Sequence, residues 1–137
     1  FTSRSANEGF ARACAACFAA QLDPTLDEVA DIKTAVSEAV TNAIVHAYPD
    51  RLGQITMRLR LYDGGVLDIQ VKDAGVGIPD VDQARAPLFT TGGEERSGMG
   101  FTIMESFMDS LKVRSQLGKG TTVTMRKRIA RRAGAPR

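Results

Sequence analysis

A chain of 137 residues, 43% hydrophobic and 25% charged, is long enough for one globular domain with a substantial core and has the ordinary composition of one. No apolar run reaches the ~18 residues of a membrane span and no signal peptide is visible, so a cytoplasmic location without membrane contact is expected. The net charge is +2 and is unevenly placed along the chain.

In chain order, Phe1-Thr-Ser-Arg4 reads as a short strand, and its start at Phe1 rather than Met implies leading residues ahead of it. A first helix is expected over 6–21, rich in alanine, and Asp23-Pro24 breaks it. Within it, Cys14 and Cys17 form a C-x-x-C. A zinc site needs two more ligands and the chain has one histidine, and no thioredoxin-like βαβ setting is present, so both read as small buried core residues. Thr25 and Glu28 then form a capping box for a second helix over 26–46. Val29, Ile32, Val36, Val40 and Ala43 recur at 3–4 spacing as one buried stripe. A turn at 48–53 leads to strands over 54–61 and 66–72, joined by the hairpin signal Asp63-Gly64-Gly65. A short helix is expected near 81–85. Residues 86–98 lack periodicity and read as a long loop. A helix over 99–110 follows, then strands over 111–116 and 121–129 across Gly118-Lys-Gly120. No internal repeat is evident. The pattern is α+β, with one domain over 1–129 and a basic tail over 130–137.

Arg126, Lys127, Arg128, Arg131, Arg132 and Arg137 put six cations and no acid in the last twelve residues, while the other 125 carry 12 cations and 16 acids. A basic end can bind nucleic acid, but no aromatic residues interleave with these charges, so a solvated tail is expected.

Four polar clusters carry the chemistry. Asp73-Ala-Gly-Val-Gly-Ile-Pro79 follows the period-2 run Val66-Leu-Asp-Ile-Gln-Val71. An aspartate at a strand end can accept a hydrogen bond from an exocyclic amine, and glycines at i+2 and i+4 turn at positive φ and admit a ligand; a tight turn needs the same residues. Glu38, Asn42 and His46 stack at i, i+4 and i+8 on the second helix. They read as a solvated face or as a pocket wall, with Glu38 able to take a proton, Asn42 a hard oxygen ligand for Mg²⁺, and His46 a turn residue. Ser97-Gly98-Met99-Gly100-Phe101 stands at a helix start, where open N–H groups suit phosphate, with the Arg96 cation beside it. Gly118-Lys-Gly120-Thr121-Thr122 reads as a hairpin turn and can also place the Thr121 hydroxyl near a base.

The order of these clusters resembles the N, G1, G2 and G3 boxes of the GHKL ATPase superfamily. It implies a Bergerat-type two-layer sandwich, with helices on one face of a mixed, mainly antiparallel sheet. Val36-Ser-Glu-Ala-Val-Thr-Asn-Ala-Ile-Val-His46, Ala84-Arg-Ala-Pro-Leu-Phe-Thr-Thr91 and Glu95-Arg-Ser-Gly-Met-Gly-Phe-Thr-Ile-Met-Glu105 look like the anti-sigma F family of spore-forming bacteria. So do Ser5-Ala-Asn-Glu-Gly-Phe-Ala-Arg12 and Gln21-Leu-Asp-Pro24, so the resemblance spans nearly the whole chain.

That resemblance implies a cytoplasmic, homodimeric serine protein kinase using ATP/ADP and Mg²⁺. Its partners are sporulation sigma factor F, held inactive with ATP bound, and an anti-anti-sigma protein phosphorylated on serine. It implies no direct nucleic-acid contact. Carried over by position, Glu38 resembles the catalytic base and Asn42 the Mg²⁺ ligand. Asp73 resembles the adenine-amine acceptor, and Gly75 and Gly77 the loop against the nucleotide. Gly98, Met99, Gly100 and Phe101 match the phosphate cradle, Arg96 an arginine near the terminal phosphate, Thr121 a threonine near adenine, and Arg12 a partner-contacting arginine. Two departures stand out, the glycine-rich Thr91-Gly-Gly-Glu-Glu95 and the arginine-rich end. A nucleotide-gated binding module without kinase activity is the alternative. A sensor histidine kinase would need dimerisation helices and a phosphoacceptor histidine, and the sole histidine sits in the Asn42 cluster.

Overall fold

The computed structural model of the chain describes residues 1–85 and 95–129, with the backbone alone at 95–99. Most of the expected 86–98 loop and the tail over 130–137 lie outside the described residues, as do the side chains of Arg96 and Met99.

Helix α1 spans Ala6–Ala19 and ends in a tighter turn, Ala20–Leu22, before Asp23 adopts a left-handed conformation (φ 52°) ahead of Pro24. Helix α2 spans Leu26–Asn42. Its capping box forms as expected: the Glu28 N–H donates to Thr25 Oγ1 (3.1 Å) and the Thr25 N–H donates to Glu28 Oε1 (2.8 Å). Such a cap contributes about 1 kcal/mol. The last expected turn of this helix is instead a wider i→i+5 turn, Ala43–Ala47. Strands β1 (Ile55–Tyr62), β2 (Val66–Asp73), β3 (Ser110–Gln116) and β4 (Gly120–Arg128) form one sheet in the order β1-β2-β4-β3, and every ladder among the described residues is antiparallel. Short helix α3 (Val81–Arg85) and helix α4 (Glu95–Phe107) lie between the two hairpins. The expected N-terminal strand reduces to a single bridge, Thr2 to Gln54.

Helix α2 is central, packing α1 on one flank and α4 on the other over one face of the sheet. Ala11, Ala15 and Ala19 form the α1 ridge, small enough to bring α1 close to Ile32, Ala35, Val36 and Val40. Phe101, Met104 and Met108 close the other side over Leu67, Ile69, Val71, Val123 and Met125. Each fully buried aliphatic side chain contributes about 1.5–3 kcal/mol relative to exposure. Ile32, Val36, Val40 and Ala43 are buried as their spacing predicts.

Two expectations are corrected. Cys14 is only partly buried and Cys17 is exposed, because the alanine ridge of Ala11, Ala15 and Ala19 takes the face towards α2 and leaves the cysteines on its outer flank. Helix α4 begins at Glu95, not at residue 99, so Gly98 and Gly100 lie inside the helix rather than ahead of it. Each glycine costs about 1 kcal/mol relative to alanine in a helix. Burial of Phe101 and Met104 against α2 outweighs that local preference.

Candidate nucleotide site

Strand β2 ends on Asp73, which faces the helices and is 8% exposed. One carboxylate oxygen, Oδ1, accepts the Gly75 N–H (3.0 Å) and the Thr121 N–H (3.2 Å). The first bond is the turn an aspartate makes with its own backbone two residues on. The second ties β2 to the start of β4. Among the described residues no donor reaches Oδ2. Burial raises the Asp73 pKa above its ordinary value, and the two N–H bonds oppose that rise. The result is a carboxylate held in one orientation with one oxygen left to accept.

The loop after Asp73 is clamped from two sides. The Tyr48 hydroxyl accepts the Ala74 N–H and donates to the Gln54 carbonyl, both at 2.7 Å. The Val76 N–H donates to the Ala47 carbonyl (3.0 Å), which the wide turn at the end of α2 presents to it. Gly75 has no room for a Cβ, because that space is occupied by Ala47. Gly77 (φ 80°) lies against the Gln116 carbonyl, and the Gly118 N–H donates to the Val76 carbonyl. Both bare Cα atoms therefore face the protein's own backbone.

Thr121 is buried, its hydroxyl 2.8 Å from Ser115 Oγ. The Ile78 N–H donates to the same Ser115 oxygen (2.7 Å). One serine thus joins the end of the Asp73 loop to the threonine beside the aspartate.

Glu38, Asn42 and His46 are each half-buried, the first two on α2 and His46 in the wide turn. Asn42 faces Gly100: a Cβ there would lie 3.0 Å from Asn42 Nδ2 and 3.2 Å from Oδ1. Asp73, Gly75, Gly77 and Thr121 thus form one group and Asn42 with Gly100 a second, and Ala47, five residues after Asn42, links them. Phe101 is buried beneath the second group. Arg12 donates to Glu8 (3.2 Å) and to Ser37 Oγ (3.4 Å), which places it beside the α2 turn that carries Glu38.

The first four N–H groups of a helix lack intrahelical partners. With α4 starting at Glu95, Ser97 is the last of these, and the N–H groups of Gly98, Met99, Gly100 and Phe101 fall inside the helical ladder. Among the described residues no cluster of three His, Cys, Asp or Glu could hold a metal. The donor set fits a cation that takes one protein oxygen and completes its shell from phosphate and water, as Mg²⁺ does.

Tyr48, Ser115 and the Ala47 carbonyl shape this site and escape sequence reasoning. Tyr48 and Ser115 sit in a turn and a polar strand position that carry no motif. Ala47 acts through its backbone, which no side-chain pattern reports.

The family model for the histidine kinase-like ATPase domain matches residues 1–127. Anti-sigma F factor from Geobacillus kaustophilus is 57% identical over 132 residues, covering 96% of this chain and 90% of that protein. The one from Caldanaerobacter subterraneus subsp. tengcongensis is 59% identical, covering 96% and 92%. Among solved structures, the histidine kinase domain of the Erythrobacter litoralis EL346 blue-light activated kinase superposes with a TM-score of 0.59 at 27% identity, over 75% of this chain and 45% of that one. Full-length ShkA in complex with AMPPNP shares the fold, with a TM-score of 0.60 at 21% identity over 76% of this chain and 22% of that one. The chain belongs to the anti-sigma F factors, within the histidine kinase-like (GHKL) ATPase family.

Proposed function

We propose that this chain is an anti-sigma factor and serine protein kinase that binds sporulation sigma factor F with ATP bound and phosphorylates a serine of an anti-anti-sigma protein. The observation that carries the nucleotide part is Asp73, fixed by two backbone N–H groups with its second oxygen open. A carboxylate there accepts from the amine of adenine and repels the carbonyl oxygen that guanine presents at the same position. Thr121 and the backbone of Gly75 and Gly77 complete the base end.

Asn42 offers the amide oxygen for Mg²⁺, whose charge offsets that of the phosphates. Arg96 supplies a cation to the terminal phosphate, and Gly98, Met99, Gly100 and Phe101 line the phosphate end. Because all four of these N–H groups lie in the helical ladder, a full backbone cradle requires the first turn of α4 to unwind, and two glycines lower the cost of doing so. Glu38, one turn before Asn42, takes the proton from the attacking serine hydroxyl. Arg12, held over Ser37 next to Glu38, is the partner contact. The family names support the anti-sigma role, and the working form is a cytoplasmic homodimer.

Incubation with Mg²⁺, labelled ATP and an anti-anti-sigma protein tests the reading, with Glu38→Gln alongside. Label on a partner serine, lost in Glu38→Gln while ATP still binds, supports the kinase. Unchanged transfer by Glu38→Gln refutes the base. ATP binding with no transfer by the wild type leaves a nucleotide-gated binding module, with the sigma factor as its partner.

A further inference from the structure

The helices cover one face of the sheet, and the other face is cationic. Cross-strand register places Thr56, Lys72, Thr122 and Arg114 in one row, Arg58, Gln70, Thr124 and Lys112 in the next, and Arg60, Asp68, Arg126 and Ser110 in a third. Tyr62, Val66 and Arg128 form the last row. This face therefore carries seven cations (Arg58, Arg60, Lys72, Lys112, Arg114, Arg126 and Arg128), all exposed, and one carboxylate, Asp68. The rest of the chain holds eleven cations and fifteen acids, so positive charge is concentrated here.

Among the described residues, the only ion pair on this face joins Arg126 to Asp68 (2.7 Å). The other six cations are spread over all four strands. Seven like charges on one surface repel each other and lower stability unless a counter-charge meets them. None of the seven belongs to the nucleotide site, which lies on the helix side.

We propose that this open sheet face binds the phosphate backbone of nucleic acid. Rows about 4.8 Å apart across strands and about 6.7 Å apart along them present a grid of cations on a rigid support. Five of the seven are arginines, whose planar fork suits phosphate oxygens. Thr56, Thr122, Thr124, Gln70 and Ser110 lie between them as hydrogen-bond donors. Such contacts grip a backbone without reading sequence.

The chemistry disfavours a protein partner. A protein interface has a core depleted of charge and rich in apolar anchors, and the only aliphatic residue on this face is the half-buried Val66. The same lack of apolar residues disfavours insertion into a lipid surface. One aromatic is present: Tyr62, 42% exposed, with the Arg126 guanidinium 5.1 Å from its ring centre. It is the stacking platform that the arginine-rich end lacks in the linear sequence. The expectation of a solvated basic end rested on that lack, and the fold supplies the ring from β1.

The test is fluorescence anisotropy of the whole chain with labelled DNA of arbitrary sequence, single-stranded and duplex. Binding is expected at about 50 mM salt, weakening by orders of magnitude towards about 200 mM as counterions are released. Arg58→Gln/Lys112→Gln/Arg114→Gln, all exposed and unpaired among the described residues, is expected to lose about tenfold or more in affinity and to flatten the log–log salt slope by about 2–3. Its ATP affinity should be unchanged, which doubles as the folding control. Arg58→Lys/Arg114→Lys should retain most of the binding. No binding by the wild type overturns the proposal, as does full binding by the triple glutamine variant. So does loss seen only with Arg131→Gln/Arg132→Gln/Arg137→Gln, which would assign the effect to the chain end. Stronger binding to phosphatidylglycerol vesicles or to polyglutamate than to DNA overturns it in favour of a lipid or an acidic protein.

Discussion

The amide of Asn42 lies directly against the bare Cα of Gly100, so the α2 residue proposed to hold Mg²⁺ is positioned by a glycine of α4. Gly100→Ala sets two effects against each other. Alanine gains about 1 kcal/mol of helix propensity. Its Cβ would press on the Asn42 amide at 3.0 Å and displace it by a few tenths of an ångström. The expected variant keeps or slightly raises its melting temperature and binds Mg-ATP several-fold to about tenfold more weakly, a loss of about 1 kcal/mol. Parallel thermal melts and ATP titrations check this, and equal affinity would remove Asn42 from the site.

Asp73→Asn keeps the geometry, since the asparagine oxygen can still accept from Gly75 and Thr121. It replaces the open acceptor with a donor facing the adenine amine. ATP affinity should fall by about tenfold or more, in line with the loss of a charged hydrogen-bond partner. GTP should lose less. A two-nucleotide titration tests this, and an equal fall for both would place Asp73 away from the base.

The same residue sets a pH dependence. Burial raises the folded carboxyl above its ordinary value of 3.8, so the folded state holds this proton more tightly than the unfolded state. The stabilising contribution is therefore complete below the unfolded value and is lost as pH rises through the folded one. At neutral pH ionised Asp73 costs stability. Asp73→Asn should gain on the wild type as pH rises from below 3.8 towards neutrality, and denaturant melts at several pH values measure that gap. Nucleotide affinity should also fail on acidification at a higher pH than an exposed aspartate would allow.

Tyr48→Phe removes a hydroxyl that holds both the Ala74 N–H and the Gln54 carbonyl. Leaving these backbone groups unpaired costs about 1–3 kcal/mol. Faster amide exchange at Ala74 and Val76, with weaker ATP binding, is the expected signature. Unaltered exchange would mean that the loop's other hydrogen bonds hold it without the Tyr48 hydroxyl.

Much of this architecture is legible in one dimension because its signals are local. The capping box, the 3–4 spacing of Ile32, Val36 and Val40, and the glycines between paired strands each depend on neighbours a few residues away. The start of α4 is misread for the complementary reason: glycine propensity argues for a loop over 95–98, and the burial of Phe101 and Met104 overrides it. The cysteines fail similarly, since alanine-rich helix composition does not say which of several small residues faces α2.

By itself the sequence determines the element order, the buried stripe of α2 and the cluster order that marks the family, because periodicity and turn chemistry act over short range. Only the tertiary structure decides what meets across it. Thr121 bonds to an aspartate 48 residues earlier, Ala47 clamps a loop through its carbonyl, and four separate strands pool their arginines and lysines on one face. Those relations follow from antiparallel register, which sets neighbours by strand pairing and not by distance along the chain.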